Sequence, residues 1–279
     1  MVVFAERRSS VAALWGSRLA TFSAVLFVVS GLGHRFGLVE TVGFFWLLAL
    51  IATLAVAALV LAAAGFFQLW IFGDRGGISS AWAVVVAFAV LSPFLISAWR
   101  VYTYPRLSDI STDVTDPPPL DAAARLRTAD MNPIASISDE QGALQLESYP
   151  DVTGRRYQLS ADRVQELVAD LVLSSGWTFT LRPTPALDGG DSFIEALATT
   201  TFLAFPVDVS VRITDEGDTT YVDMRSASRY GKHDLGDNAA RIAGFLTALD
   251  AAVAGAAGAP PAEEPPASEI PIPSEPPAD

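Results

Sequence analysis

Residues Thr41–Gly73 read TVGFFWLLALIATLAVAALVLAAAGFFQLWIFG, a run of 33 residues without a charged side chain. About 20 apolar residues in a helix are enough to cross the hydrocarbon core of a bilayer. Because a helix over the whole run would be longer than that core is thick, we place a membrane span at residues 41–64. The remainder, Gly65–Phe72, is rich in aromatic residues and is expected to reach the membrane interface, where Trp is favoured.

Two further uncharged stretches flank this run. Leu19–Gly33 lies between Arg18 and His34, and Ile78–Trp99 is followed by Arg100. The first stretch is short, but a helix can extend below Arg18 because an arginine near a helix end can reach the headgroups. We therefore predict a membrane anchor over residues 1–104 with three transmembrane helices, at about residues 14–34, 41–64 and 79–99.

The connections between these spans are also suggested by the sequence. Gly73–Gly77 is predicted to be a tight turn that makes the second and third spans a helical hairpin, and Pro93 is predicted to kink the third span. A cleavable signal peptide is the alternative for the first stretch, with Arg7 and Arg8 as its basic region. We favour an uncleaved span, because no convincing small-residue cleavage site follows and two more spans come after it.

The arginines around the spans predict the orientation. The N-terminal side and the hairpin turn carry four arginines, and the opposite side carries three: Arg7, Arg8, Arg18 and Arg75 against Arg35, Arg100 and Arg106. Cytoplasmic loops are enriched in Lys and Arg. We therefore expect the N-terminus inside and the residues after the anchor outside a bacterial inner (plasma) membrane, in the periplasm. The spans hold no ionisable residue, which favours a plain anchor over a transport pathway.

The charge of the chain is divided along its length. The whole chain is 51% hydrophobic with a mean hydropathy of +0.37 and a net charge of −13. Residues 1–100 carry six arginines against three acidic residues, whereas residues 101–279 carry 28 acidic residues against 12 basic ones. The acidic part argues against nucleic acid as a partner, because phosphates require clustered Lys and Arg. With no Cys, the chain cannot form disulfides or a Cys-ligated zinc site.

Residues 105–254 are predicted to form a small α+β domain. A helix starts at Ser160, and a strand follows over Trp177–Leu181 because the apolar period changes from 3.6 to 2. Phe193–Phe202 is a further predicted strand, and a last helix follows Gly231. We expect an antiparallel sheet with two helices on one face. Within the domain, Pro105–Asp130 is predicted to be an extended tether that lies on or near it, and Met131–Tyr149 to be loop with short elements. Residues 255–279, rich in Pro and Glu, are predicted to be a disordered tail.

A β-hairpin is the clearest local signal in this domain. Apolar residues alternate from Phe205 to Ile213, and Asp215–Asp218 is predicted to be the turn. If Thr214 pairs with Thr219, the residues that face each other are Val211 and Val222, Val209 and Met224, Arg212 and Tyr221, and Asp208 and Arg225. The last pair would be an ion pair across the hairpin that helps to set the register.

The densest polar segment, Met224–Arg241, provides the candidate site. One hypothesis is an anion or headgroup site built from basic and hydroxyl side chains at the start of the last helix, namely Arg225, Ser226, Ser228, Arg229, Lys232 and His233. A second is a hydrolase with Ser226 or Ser228 as nucleophile and His233 as base. The third, which we favour, is structural: Asp208 pairs with Arg225, Asp234 or Asp237 caps the helix, and Asp237 pairs with Arg241 four residues later.

Other chemistry has little support in the sequence. Gly231 and Lys232 do not form a P-loop, because Ser226 stands at the position of its first glycine and His233 at the position of its Ser or Thr. One His with nearby carboxylates is a weak metal motif, so we predict no metal and no cofactor. His34 and Arg35 end the first span, where anchoring at the interface is a simpler role than chemistry.

Several motifs resemble the domain-of-unknown-function family numbered 1499. They are Pro105–Pro119, Ser148–Pro150, the Gly176–Trp177 step and the long segment Asp223–Ile242, so that the resemblance covers about residues 105–250. Bacterial members look like envelope lipoproteins or proteins with N-terminal spans, and this chain lacks the Cys that lipid attachment needs. The resemblance implies a membrane-associated envelope protein and transfers no catalytic residue.

These observations favour a binding module over an enzyme. We expect an integral membrane protein with an extracytoplasmic domain that binds an envelope protein or a small anionic ligand, with the lipid bilayer as its other partner. A hydrolase and a membrane assembly or adapter protein are the alternatives.

Overall fold

The computed structural model describes residues 8–182 and 190–257. Three long helices come first: α1 (Val11–Arg35), α2 (Thr41–Phe72) and α3 (Gly77–Thr103). They pack against one another in all three pairings and form the N-terminal bundle. Helix α2 is continuous over 32 residues, so its aromatic end is helical as well, and Pro93 lies inside α3.

Small side chains hold the bundle together. Its buried positions are mostly Ala, Gly and Ser, so the backbones approach closely. A Cβ on Gly16 of α1, for example, would lie 3.2 Å from the Ala62 nitrogen of α2. The large apolar side chains point outward instead, as expected for helices whose surroundings are lipid.

Four helices of the described residues are long and apolar enough to cross a membrane: α1, α2, α3 and α7. In the bundle, exposed tryptophans mark two levels, with Trp46 and Trp70 of α2 24 residues apart. That spacing is about 36 Å of helix, close to the thickness of a bilayer core with its interfaces. Helix α7 differs from the other three, because its apolar stripe packs on the domain described next.

The two ends of the bundle have different neighbours. At one end the chain before α1 meets the α2–α3 turn, where the Ser10 N–H donates to the Arg75 carbonyl at 2.8 Å. Gly73, which ends α2, has φ of 69°, a conformation that glycine adopts without a Cβ penalty. The rest of the chain lies at the opposite end, next to Arg35 and Thr103.

The second part of the chain is an α+β domain. Its elements are β1 (Asp109–Ser111), α4 (Asp121–Leu126), α5 (Asp139–Ser148), β2 (Arg155–Tyr157), α6 (Ala161–Ser174), β3 (Thr178–Leu181), β4 (Ser192–Thr199), β5 (Pro206–Asp215), β6 (Thr220–Ser228) and α7 (Asp237–Ala257). The sheet is antiparallel in the order β1-β6-β5-β4-β3, with β2 also paired to β6.

The apolar core lies between one face of this sheet and helices α6 and α7. Alternate residues of β4, β5 and β6 point into it, and Val164, Val168 and Val172 of α6 meet Ile242 and Leu246 of α7 there. Trp177 stacks on Phe245, with ring centroids 5.2 Å apart. The prediction of an apolar helical bundle followed by an antiparallel sheet with two helices on one face is confirmed.

The other face of the sheet is charged and is covered by the segment between β1 and α5. Arg212 forms ion pairs with Asp223 on the neighbouring strand and with Asp116 of this covering segment. The Glu195 carboxylate accepts hydrogen bonds from two backbone N–H groups at the start of α4. Charged residues thus attach the covering segment to the sheet. Residues 105–130, predicted to be an extended tether on or near the domain, lie on it but contain β1 and α4.

Other boundaries also differ from the predictions. Residues 131–149 contain α5, which begins with a capping box made by Ser138 and Gln141. Strand β4 ends at Thr199, because the chain turns back toward β5 after it. The predicted tail begins inside α7 at residue 255, and its residues from 258 on lie outside the described residues.

The predicted hairpin exists, but its register is wrong by two residues. Asp215 pairs with Thr220, and Val211 faces Met224 instead of Val222. The turn keeps four residues but moves by one position to residues 216–219, where the Glu216 N–H donates to the Thr219 carbonyl at 2.9 Å. A shift of two residues keeps every side chain on its predicted face but changes its partner. Val209 therefore faces Ser226, Arg212 faces Asp223, and Asp208 faces Ala227 instead of Arg225.

Candidate functional site

The polar segment Met224–Arg241 divides into two parts with different surroundings. Residues 224–229, which we call the strand half, belong to the sheet except for Arg229 directly after it. Residues 230–237, the turn half, connect the sheet to α7 and lie against the N-terminal bundle. The six predicted binding residues are thus distributed over both halves and do not converge on one site.

Arginines of the strand half are used inside the domain. Arg225 is 4% exposed and donates to both carboxylate oxygens of Asp109, at 3.0 and 2.8 Å. Arg229 donates to both oxygens of Asp208, and Arg127 of the covering segment pairs with the same carboxylate at 2.8 Å. The predicted Asp208–Arg225 pair is therefore wrong, because the shifted register brings Arg229 to Asp208. Burial lowers the pKa of the Arg127 guanidinium, and Asp208 opposes this effect.

The two serines of the strand half belong to a buried amide network. The Ser226 hydroxyl donates to Asn238 Oδ1 at 2.9 Å, and the Ser228 hydroxyl accepts from Asn238 Nδ2 at 3.1 Å. Arg241 also donates to Asn238 Oδ1 at 2.9 Å. The predicted Asp237–Arg241 pair is thus replaced by a contact between Arg241 and Asn238, while Asp237 pairs with Arg100 of α3 at 3.0 Å.

His233 of the turn half connects the domain to the bundle. Its Nε2 lies 3.2 Å from the Val101 carbonyl and 3.1 Å from the Tyr104 carbonyl, and its Nδ1 accepts from the Leu235 N–H at 2.9 Å. Both ring nitrogens are therefore engaged by the backbone, and neither Ser226 nor Ser228 is among their partners. This geometry does not provide the Ser–His contact that the hydrolase hypothesis requires.

The start of α7 is held by Asp234. Its carboxylate accepts from the N–H groups of Gly236 and Asn238, at 3.1 and 2.8 Å. Burial raises the pKa of this carboxyl, and these two hydrogen bonds oppose the increase. Gly236 has φ of 81°, and a Cβ there would lie 2.7 Å from the Tyr104 ring, so only glycine fits this contact. Lys232 is exposed on the adjacent turn.

The bundle makes a second set of contacts with the loop between β4 and β5, residues 200–205, which we call the junction loop. His34 Nδ1 donates to the Leu203 carbonyl at 2.7 Å, and Arg35 donates to the Thr201 carbonyl at 3.3 Å. Phe205 packs against Phe44 and Phe45 of α2, with ring centroids 5.8 and 5.2 Å away. Both histidines of the chain thus lie at the junction of bundle and domain.

A cavity of about 660 Å³ lies at this junction. We call it the junction cavity, and its volume is in the range of pockets that bind small molecules. Its wall combines side chains of α2 and α3, the junction loop and the turn half, including Phe45, Pro93, Ile96, Arg100, Phe202, Tyr230, His233 and Leu235. A second cavity of about 680 Å³ shares Tyr230 and is also lined by His34 and Arg229.

Backbone strain is found at the same place. Among the described residues, Ala204 and Leu235 are the non-glycine residues with positive φ, at 56° and 60°. Ala204 lines the second cavity and Leu235 the junction cavity. Left-handed conformations of this kind are uncommon outside glycine and concentrate at functional sites. The described residues contain no group of three His, Cys, Asp or Glu that could hold a metal ion.

A family model described as a protein of unknown function, DUF1499, matches residues 109–249. The chain belongs to this family. The match confirms the resemblance seen in the sequence, and it runs from β1 into α7, so the DUF1499 domain includes the sheet, the covering segment and both core helices. The three helices of the bundle lie before the matched residues. A search of curated proteins gives no match.

Sequence reasoning missed the main features of the site in this DUF1499 protein. It placed the binding residues in both halves, and of these Ser228 and His233 line the junction cavity, together with residues of α2, α3 and the junction loop that were not predicted. His34 was assigned to the interface, and its contact with Leu203 joins residues 169 positions apart. The repeated aromatic residues of Thr200–Phe205 are the signal that could have directed attention to this loop.

Proposed function

We propose that this DUF1499 protein is a membrane-anchored binding module of the bacterial envelope, and that its ligand binds in the junction cavity. The observation that carries the proposal is the position of this cavity between the bundle and the domain, with both parts contributing to its wall. Strained residues and both histidines surround the same place. A binding role needs a shaped site and no nucleophile, and this agrees with the hydrogen bonds of both serines to Asn238.

The proposed orientation places the domain on the periplasmic side of the inner membrane. The chain before α1 and the α2–α3 turn lie together, and Arg8 and Arg75 are in direct backbone contact there. At the other end, Arg100 is paired with Asp237. The sequence carries four arginines on the side of the first end, Arg7, Arg8, Arg18 and Arg75, and this majority supports the cytoplasmic side for the N-terminus. An alkaline phosphatase fusion after Asp279 should be active, and an active cytoplasmic reporter at that position would contradict this orientation.

The charges of the site argue for a binding partner other than a small anion. Arg225, which was predicted to attract it, is paired with Asp109, and Arg229 is held by the Asp208 carboxylate that it shares with Arg127. An envelope protein as partner, and the adapter role, stay predictions. They would be supported by a protein that copurifies with the full chain in stoichiometric amounts.

A cavity-filling variant tests the proposed binding site. The full chain is purified in mild detergent from its native membranes, and small molecules extracted from it are measured by mass spectrometry. Ile96→Trp should fill the cavity, because Ile96 lines it. Leu95→Trp is the matched control, since Leu95 is the adjacent exposed residue outside the lining. A molecule enriched with the wild type and with Leu95→Trp, and lost with Ile96→Trp, supports the site; equal contents in all three preparations would contradict it.

A further inference from the structure

The junction cavity has an apolar end and a polar end. Phe45, Pro93, Ile96 and Phe202 line the end that lies beside the helices of the bundle. Tyr230, His233, Asp234 and Asp237 line the end toward the domain, together with Arg100 at the top of α3. A cavity with this division matches a molecule that has a hydrocarbon part and a polar head.

The apolar end lies at membrane depth. Ile96 precedes Thr103, the last residue of α3, by seven positions, which corresponds to about 10 Å of helix. Phe202 of the junction loop lies at a similar level, because its ring centroid is 6.5 Å from that of Phe27 in α1. Both Ile96 and Phe202 are more than half exposed, at 56% and 69%. The cavity is therefore open on the side of the bundle that faces lipid, and a molecule can enter it from the bilayer.

Among the residues that line the polar end, no positive charge is left unpaired. Arg100 is neutralised by Asp237 at 3.0 Å, and the carboxylate of Asp234 accepts two backbone N–H groups. Both ring nitrogens of His233 are engaged by the backbone, with Nδ1 accepting from the Leu235 N–H and Nε2 lying 3.1 Å from the Tyr104 carbonyl. An anionic headgroup would lose its hydration here without gaining a counter-charge and would meet the Asp234 carboxylate, which is unfavourable. Uncharged groups fit better, because Ser97, Thr201 and Tyr230 supply hydroxyls to the wall.

We infer that the junction cavity binds a slender amphiphile taken from the bilayer, with one hydrocarbon chain and an uncharged head of hydroxyl and ester or carbonyl groups, as in an acylglycerol. This inference rests on the proposed function of the cavity as a binding site. The volume of about 660 Å³ suits one chain with a small head. Since the hydrocarbon chain is already in an apolar environment in the membrane, selectivity comes from the head and from the shape of the cavity.

Photolabelling with defined probes tests the class of ligand. The full chain in phosphatidylcholine nanodiscs is exposed to a monoacylglycerol that carries a diazirine and an alkyne on its chain, or to the fatty acid with the same chain. The monoacylglycerol should label α3 residues 92–100 and loop residues 200–207 at least about fivefold more than the fatty acid, because the anionic head lacks a counter-charge. Excess unlabelled monoacylglycerol should suppress the labelling.

Two variants separate the outcomes. Ile96→Trp should reduce labelling by the monoacylglycerol about fivefold, and Leu95→Trp should leave it unchanged. The fatty acid could instead label the protein as strongly as the monoacylglycerol or more strongly. If that labelling is suppressed by the competitor and reduced by Ile96→Trp, the ligand is not restricted to uncharged heads, but the cavity is still a binding site. Labelling that is not suppressed, or that is the same in both variants, would be contact with bulk lipid and would overturn the ligand together with the site.

Discussion

The strand half and the turn half of one polar segment have similar compositions and different tasks. In the strand half, Arg225 and Ser226 are buried and fully engaged by partners inside the domain. In the turn half, Tyr230 and His233 lie between two parts of the molecule and line a cavity. The difference teaches that a dense run of polar residues does not by itself mark a site. Burial and partners assign Arg225 and Ser226 of the strand half to stability, whereas binding by the turn half is our proposal.

The largest loss of stability should come from removing the carboxylate shared by two arginines. Asp208→Ala leaves Arg127 and Arg229 charged and unpaired in the interior, where loss of one partner destabilises by about 3–5 kcal/mol. Amide hydrogen exchange of β5 and β6 in the full chain measures this change. Glu216→Ala is the control, because it removes an exposed ion pair with Arg156 on the same hairpin and should change little. Similar exchange in the two variants would contradict a structural role for the strand half.

A smaller loss is expected for the Asn238 side-chain amide, which joins the strand half to α7. Asn238→Ala removes the partner of Ser226 and Ser228 and should destabilise the domain by about 1–3 kcal/mol, because buried polar groups lose their hydrogen bonds. Exchange of the β6 amides reports the effect. Thr247→Ala removes a hydroxyl bonded within the same helix at an exposed position, and it should be close to the wild type. If the β6 amides of Asn238→Ala exchanged as slowly as in the wild type, Asn238 would not stabilise the strand half.

In the turn half, the expected effect is local. His233→Ala removes hydrogen bonds to Tyr104 and Leu235. The free energy of local opening, measured by hydrogen exchange of amides at the end of α3 and the start of α7, should therefore fall by about 1 kcal/mol. Strands β5 and β6 should keep their protection. Lys232→Ala changes an exposed neighbour and serves as the control. If His233→Ala increased amide exchange in β6 as much as at the junction, the two halves would not contribute independently to stability.

One substitution at the junction should stabilise. Ala204 has φ of 56°, so Ala204→Gly relieves a strained conformation, and the greater freedom of glycine in the unfolded chain offsets part of the gain. We expect a net gain of up to about 1 kcal/mol in protection of the junction loop. Ala198→Gly, in the buried interior of β4, should destabilise instead. A loss of protection in Ala204→Gly would show that the loop is not strained.

Local periodicity made much of the fold predictable. The uncharged stretches gave three helices, and the alternation in β5 and β6 gave the faces of both strands. The register was not predictable, because the turn depends on Thr220, whose hydroxyl donates to the Leu159 carbonyl far away in the sequence. The capping box of Ser138 and Gln141 was readable and was overlooked.

The site itself was less predictable, because it is made of distant contacts. Arg127 meets Asp208 from 81 positions away, and Arg229 donates to the same carboxylate, so Asp208 engages both arginines. The wall of the cavity joins Ile96 of α3 with residues near position 202 and with the turn half. The packing of the bundle on the domain brings these residues together, and this packing cannot be predicted from composition or spacing.

The most direct test measures binding and stability on the same preparations of wild-type, Asn238→Ala and Ile96→Trp protein. Binding is the copurified or photolabelled amphiphile per chain, and stability is the amide exchange of β5 and β6. We predict that Ile96→Trp loses binding and keeps wild-type exchange, and that Asn238→Ala, under conditions where it is folded, exchanges faster and keeps binding. An Ile96→Trp protein that binds as the wild type does would contradict the assignment of the junction cavity as the site of function.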